Sequence, residues 1–315
     1  MLPMVRSSLN KRVRFDCVGL GVNAIDYLCL LDPYPGLDDK VDAVSSSVQG
    51  GGPVPTAMAT LAKLGAKSCY VGKVGKDAEG EFVKAQLEKE GVDTRFMIAD
   101  KRTKTSRAFV WVDKRSGKRT VVLDRDSNNR MDKKDLAFIN PVFTKFVHLD
   151  AREPEINILV ARWAKKLGAG VCLDVGSLRE GVDRVLLYAD HLIVSRRFAC
   201  GFAATVDPAT ACRKLMQRGF KTVVVTVGEE GCLCGRDDKL FLSPGFKVKV
   251  VDTTGAGDVF HGAFIYGLLQ KWSLKRIAEF ANACAALKCR RLGGRAGIPT
   301  LTEVRDFMQE FKQRT

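Results

Sequence analysis

Histidine is scarce: three among 315 residues, at positions 148, 191 and 261. Their spacing is too scattered to predict a zinc site. Ten cysteines contain no Cys-x-x-Cys pair, and Cys17, Cys69, Cys172 and Cys284 lie inside apolar runs. Thiols are used this way, as small buried hydrophobes, in a reducing compartment. Cys232 and Cys234 alternate along a predicted strand and share one face, but two thiols alone do not make a metal centre. No G-x-x-x-x-G-K-[ST] segment occurs, which excludes a P-loop. No apolar run reaches the roughly 18 residues of a membrane span. The first 14 residues lack the apolar core of a secretory signal. Arg6, Arg12 and Arg14 with Ser7 and Ser8 suggest either organelle targeting or a frayed basic tail, and a cytoplasmic location is expected. Repeats and low-complexity segments are also missing.

What the chain has in excess is positive charge, +15 net, on a composition that is 46% hydrophobic. Its length suits one large α/β domain, or one domain with a small attachment. Lysine and arginine run through the whole length without an aromatic-interleaved stripe, so anionic small molecules fit better than nucleic acid.

Short β-rich runs alternate with amphipathic stretches. Residues 15–21, 68–74, 146–150, 170–175, 191–194 and 222–227 predict strands. Residues 56–64, 78–90, 155–167, 208–218, 258–270, 273–288 and 302–313 predict helices. Near-continuous apolar strands alternating with helices predict a mostly parallel sheet covered on both faces. Two stretches break the rhythm. Residues 26–48 carry Pro33, Pro35 and Gly36 without a helical period. Residues 105–124 alternate and turn at Arg115-Ser116-Gly117-Lys118, as a hairpin does.

The segment from Val250 to Phe260 carries the chemistry. A β-branched run stops, Asp252-Thr253-Thr254-Gly255-Ala256-Gly257-Asp258 follows, and an amphipathic stretch begins. A strand, a tight turn and a helix N-terminus present free N–H groups and partial positive charge to an anion. Asp258 would repel a phosphate in a plain cradle. It makes sense as a base that takes a proton from a hydroxyl attacking phosphorus.

This segment resembles the C-terminal signature of the ribokinase-like (PfkB) carbohydrate kinases. Matching elements run in order from Phe15 to Pro299, and the glycine-rich start at Gly50-Gly51-Gly52-Pro53 is similar to a subgroup of sulfosugar and ketohexose kinases. The resemblance implies a three-layer α/β sandwich over 1–25, 49–104 and 125–315, with 26–48 and 105–124 forming a small β-sheet lid. It implies an ATP-dependent kinase that phosphorylates a hydroxyl of a small sugar or sugar derivative, with magnesium as cofactor. Asp258 would be the base, and the backbone of Gly255, Ala256 and Gly257 the anion hole. The acceptor would meet Asp26, Gly51, Gly52 and Thr56. Thr226, Gly228, Gly231 and Asn282 would border the nucleotide. A cation-binding segment of some relatives implies a potassium site at Asp252 and Thr254. Relatives are often homodimers through the lid. Lys40 and Arg152 are candidates to read an acidic group on the sugar, with Arg125 a third.

Two departures qualify this. Thr56 stands where many relatives carry Asn. Ser195 and Phe198 replace the ends of an N-x-x-E element tied to magnesium, which then arrives with ATP and is held through water. Asp174 is either a further charge near the metal or a strand-end turn residue. Gly19-Leu20-Gly21-Val22-Asn23-Ala24 matches a dinucleotide fingerprint, but a predicted strand follows where that fingerprint needs a helix. Nucleoside kinase and catalytically weak kinase-like regulator are the alternative functions.

Overall fold

β-branched runs with no polar face can only be buried between layers, and the fold places them there. A computed structural model describes residues 13–139 and 142–314; the basic positions 6 and 12 and serines 7 and 8 lie outside the described residues. In chain order the elements are β1 (Val13–Leu20), β2 (Ala24–Leu31), β3 (Ala43–Gly51), α1 (Pro53–Lys63), β4 (Ser68–Gly75), α2 (Ala78–Lys89), β5 (Met97–Asp100), β6 (Arg107–Asp113) and β7 (Arg119–Asp124). Then come β8 (Val142–Leu149), α3 (Pro154–Lys166), β9 (Gly170–Val175), α4 (Val182–Leu186), β10 (His191–Ser195), α5 (Arg196–Phe202), α6 (Pro208–Met216) and β11 (Thr222–Thr226). The chain closes with β12 (Gly231–Arg236), β13 (Lys239–Pro244), α7 (Ala256–Leu269), α8 (Leu274–Lys288) and α9 (Leu301–Arg314).

Nine strands form one sheet in the order β13-β12-β11-β10-β9-β8-β1-β4-β5. It is parallel from β5 to β11, and β12 and β13 add an antiparallel edge. One apolar cluster joins the sheet to α3–α6, and a second joins its other face to α1, α7 and α8. The predicted sandwich is what forms. A second sheet, β3-β2-β6-β7, has its own small core of Ala24, Leu28, Ala108, Val110 and Val112. It comes from the two stretches that interrupt the α/β alternation. None of the helices is long and apolar enough to cross a membrane, among the described residues.

Strand order places the site. After β1 the chain crosses toward β4; after β8 it crosses the opposite way, toward β9. The loops that leave neighbouring β1 and β8 therefore diverge, and such a switch point opens a crevice at the C-terminal ends of the strands. Asp150 spans it, accepting from the Val22 N–H at 2.8 Å and from the Arg152 N–H at 3.0 Å. Between them Ala151 sits at φ +53°, a left-handed conformation that costs a non-glycine residue energy and is held by the Asn157 side chain at 3.1 Å.

Candidate active site

The turn before α7 forms as its residue types require. Gly255 caps the helix at φ +74°, and a Cβ there would press on Gly294 Cα at 2.8 Å. Gly257 faces open space, with nothing within 4 Å of a Cβ position. The Ala256 N–H corrects the expectation of three free donors: it closes the turn onto the Thr253 carbonyl at 3.2 Å. By their place in the first turn, Gly257 and Asp258 have N–H groups without intrahelical acceptors.

Asp258 follows in that first turn and keeps part of its surface open. Desolvation, reinforced by the negative charge of Asp174, pushes its carboxyl up to about 6, while His261, Arg119 and Arg152 pull the other way. Asp26, on β2 of the second sheet, is buried, and burial pushes its carboxyl up to about 7; Arg295 opposes this and Asp258 adds to it. The fold thus brings Asp26 and Asp258 into one electrostatic neighbourhood. Gly51 lets β3 pass over Asp26, since a Cβ there would collide with the carboxylate. Gly52 has φ +94°, and a Cβ on it would meet the Val22 carbonyl at 2.6 Å.

Thr56 is in a different position from the one expected. It is buried, and its hydroxyl accepts from Arg295 Nε at 3.5 Å. Arg295 is the organiser of this corner. Its Nη2 donates to the Gly51 carbonyl at 2.9 Å, its backbone N–H to Gln49 Oε1 at 3.2 Å, and its Nη1 faces Glu90 at 3.4 Å. Lys40 is exposed in the segment between β2 and β3 and does not line the crevice.

The two residues of the potassium expectation are bonded within the chain. Asp252 is fully buried with both carboxylate oxygens in use: one accepts from Thr254 N–H and hydroxyl at 2.7 Å each, the other from Gly293 N–H at 2.7 Å. Its carbonyl accepts from the Lys288 ammonium at 2.8 Å. Lys288 is fully buried, so the cation against this loop belongs to the chain itself. Burial pulls its pKa below the usual lysine range, with Asp252 opposing.

At the other end of the sheet edge, Thr226 closes β11, and Gly228 and Gly231 turn with φ +69° and +102°. Asn282 is buried and spends its amide N–H groups on the Ser243 and Pro244 carbonyls, at 3.0 and 3.2 Å. It thereby fixes the strand bordering this edge. Where relatives carry N-x-x-E, Ser195 caps α5 through the Phe198 N–H at 3.1 Å, and Phe198 is packed in the core. No carboxylate comes from that element.

Two of the three histidines meet in space. His148 and His261 have ring centroids 5.3 Å apart, and His261 Nε2 lies 3.3 Å from Asp174 Oδ1. Burial, then His261, holds the His148 imidazole down at about 3. Asp174 is therefore a partner of His261 behind the base. Its carboxyl stays below the usual range despite desolvation, because His261 stabilises its charge.

Other residues of the site had no sequence signal of this use. Asn23 lies in the crevice with Nδ2 bound to Tyr70 Oη at 2.9 Å and to the Lys73 carbonyl at 2.8 Å, while its buried Oδ1 has no partner. Arg119 on β7 donates to Thr253 Oγ1 at 2.9 Å. The β6–β7 turn adds two more bonds: the Gly117 carbonyl accepts from the Thr253 N–H at 3.2 Å and from its hydroxyl at 3.1 Å. Gly117 sits at φ +65°, where a Cβ would strike Val250 at 2.5 Å.

With this geometry in hand, residues 23–301 match the family described as "pfkB family carbohydrate kinase". The chain is 28% identical over 269 residues to the ribokinase of Haemophilus influenzae, covering 82% of this chain and 87% of that one. It is 29% identical over 289 residues to an ATP-dependent ribose-1-phosphate kinase of Halopiger xanaduensis, covering 90% and 95%. The crystal structure of ribokinase from Thermotoga maritima superposes with a TM-score of 0.76 at 26% identity, over 94% of this chain and 99% of that one.

Proposed function

We propose, for a chain that belongs to the pfkB family of carbohydrate kinases, that it moves the γ-phosphoryl group of ATP to a hydroxyl of a small sugar, with Asp258 as the base. The observation that carries this is the pairing of an open helix N-terminus at Gly257 with a partly open, desolvated carboxylate one residue on. The acceptor oxygen bonds to the γ-phosphorus, the bond from that phosphorus to the β-bridging oxygen breaks, and the hydroxyl proton passes to Asp258. N–H groups of Gly255 and Gly257, with that of Asp258, face the charge on the transferred group. Removing a donor of this kind typically costs roughly 10²–10³ in rate.

Asp26 and Asn23 Oδ1 would accept from sugar hydroxyls, beside the backbone of Gly51 and Gly52. Thr226, Gly228 and Gly231 would border the nucleotide, on a turn that Asn282 holds in place. The second sheet, spanning 26–48 and 105–124, would close over the sugar as a lid and exclude water, a competing acceptor. The donor set near the phosphates is backbone N–H with few free carboxylates, which suits an ion that enters with the nucleotide and stays hydrated. Magnesium bound to ATP supplies charge neutralisation on the phosphates.

Measuring ADP release with neutral sugars, sugar phosphates, sulfonates, uronic acids and nucleosides tests the reading. Turnover of a sugar supports it. Turnover of nucleosides alone makes the chain a nucleoside kinase, and ATP binding without any transfer makes it a regulator.

Two further outcomes follow. Lys288 already provides the positive charge at the Asp252 carbonyl, so turnover is the same in potassium-free buffer as with potassium added. A steep rise with added potassium would overturn this. The outer face of the second sheet exposes Phe109, Trp111 and Val122. A homodimer through that face would cover them, and sedimentation then gives a mass of two chains that Trp111→Lys reduces to one. A single-chain mass for the unmodified protein would count against the dimer.

A further inference from the structure

The crevice at the β1–β8 switch point is a cavity of about 640 Å³, within the range of small-molecule sites. Three arginines from three separate loops meet on it: Arg125 after β7, Arg152 after β8 and Arg179 after β9. Arg125 and Arg179 are exposed at the mouth and Arg152 is half-buried. Two other cations on the same wall are ion-paired, Arg184 with Glu155 at 2.6 Å and Lys73 with Asp135 at 2.8 Å, and the charge of Arg130 bears on Glu153. The three arginines have no carboxylate at ion-pair distance among the described residues. Asp150, whose charge bears on Arg125 and Arg179, already accepts from two backbone N–H groups. Arg152 Nη1 is enclosed and has no hydrogen-bond partner. An enclosed guanidinium nitrogen without an acceptor is costly, and a ligand oxygen would satisfy it. Desolvation and their mutual repulsion hold Arg125 and Arg179 below the usual arginine range.

The arginine group is tied to the chemistry. The charge of Arg152 bears both on Arg125 and Arg179 and on Asp258, so it lies between the cavity and the base. Arg125 directly follows the last strand of the second sheet, so movement of that sheet carries it. One planar guanidinium fork is enough for a carboxylate. Three donors arriving from separate loops suit an anion with oxygens in several directions.

On the kinase reading above, on which this rests, we infer that the acceptor sugar already carries a tetrahedral oxyanion, a phosphate or a sulfonate, seated against Arg125, Arg152 and Arg179 while one of its hydroxyls meets Asp258. The product then carries two anionic groups, its new oxygen–phosphorus bond replacing the β–γ bridge of ATP, with ADP leaving and the hydroxyl proton on Asp258.

Titration calorimetry on the full chain tests it. The probes are ribose, fructose and glucose, their phosphate monoesters, their sulfonates, the corresponding uronic acids, and inorganic phosphate alone. A phosphate ester or sulfonate should bind at least about tenfold more tightly than its neutral parent, and Arg179→Gln and Arg125→Gln should each erase most of that ratio. Arg179→Lys, which keeps the charge, should retain part of it. Equal affinity for charged and neutral sugars overturns the inference, as does no binding of any charged sugar. Variants that weaken both alike, or inorganic phosphate that binds as well as every sugar phosphate, do the same. Tight binding of an anionic sugar without ADP release would sink the kinase reading and leave the subsite standing. Turnover of neutral sugars, with the arginine variants indifferent to charge, would sink the subsite alone.

Discussion

Asp258→Asn keeps ATP bound and lowers kcat by about 10²–10⁴-fold, the usual worth of a positioned general base. Asn copies the shape of the side chain and leaves the turn at Gly255–Gly257 intact, but cannot take the hydroxyl proton. Because burial and Asp174 raise the Asp258 carboxyl to about 6, the base is ionised at neutral pH and lost by protonation below about 6. The wild-type kcat/KM should therefore fall about tenfold per pH unit under that value. Stability moves in the opposite direction. The folded pKa lies above the reference of 3.8, so the folded state holds this proton more tightly than the unfolded chain. Raising pH from 3.8 through about 6 removes that advantage, and the ionised carboxylate then weighs against folding at neutral pH. Asp258→Asn should melt at the same temperature as wild type or higher. Normal turnover by the Asp258→Asn protein would end the base assignment; isothermal binding of an ATP analogue and a thermal melt separate lost chemistry from lost structure.

Arg295→Ala destabilises the protein by about 3–5 kcal/mol, the range for removing one member of a buried ion pair. Its guanidinium is buried and satisfies Gly51, Thr56 and Glu90 together. Alanine leaves these acceptors without a donor and empties the volume. Glu90 suffers most. Burial already raises its carboxyl and Arg295 is the leading force holding it down. Arg295→Lys restores the charge but not the fork, and should recover only part of the loss. Urea unfolding reads the effect. The same variant should raise KM for the sugar, because Gly51 is the residue that lets β3 lie over Asp26. An unchanged unfolding midpoint would show that the corner is held by something other than Arg295.

Short-range chemistry was legible in the sequence. The turn from Asp252 to Asp258 announces itself because its glycines and acid are contiguous, although the β-branched run expected to form a strand before it is irregular, and the seven longer helices follow from apolar periodicity. The short α4 and α5 gave too few residues for a period, and Ser195 hides a cap behind an ordinary strand end. Long-range pairing stayed hidden. His148 and His261 are 113 positions apart and become neighbours only because β8 lies beside β9, opposite α7. Lys288 and Arg295 look like the surface charges of a helix end and a loop; only the fold shows that they are buried against Asp252 and Gly51. Ala256 looked like a free donor because sequence cannot tell which N–H a tight turn uses for its own closure. Thr56 looked open for the same reason: Arg295, its partner, arrives from 239 residues away.

The three hydrogen bonds between Thr253 and the β6–β7 hairpin act as a latch. Each is worth about 0.5–1.5 kcal/mol net, so the set holds with roughly 1.5–4.5 kcal/mol. If the second sheet closes as proposed, a fastening of that size would favour the shut arrangement and still open thermally. It also grips the loop that leads into α7, so on that reading shutting the cover and setting the turn in shape would be one movement.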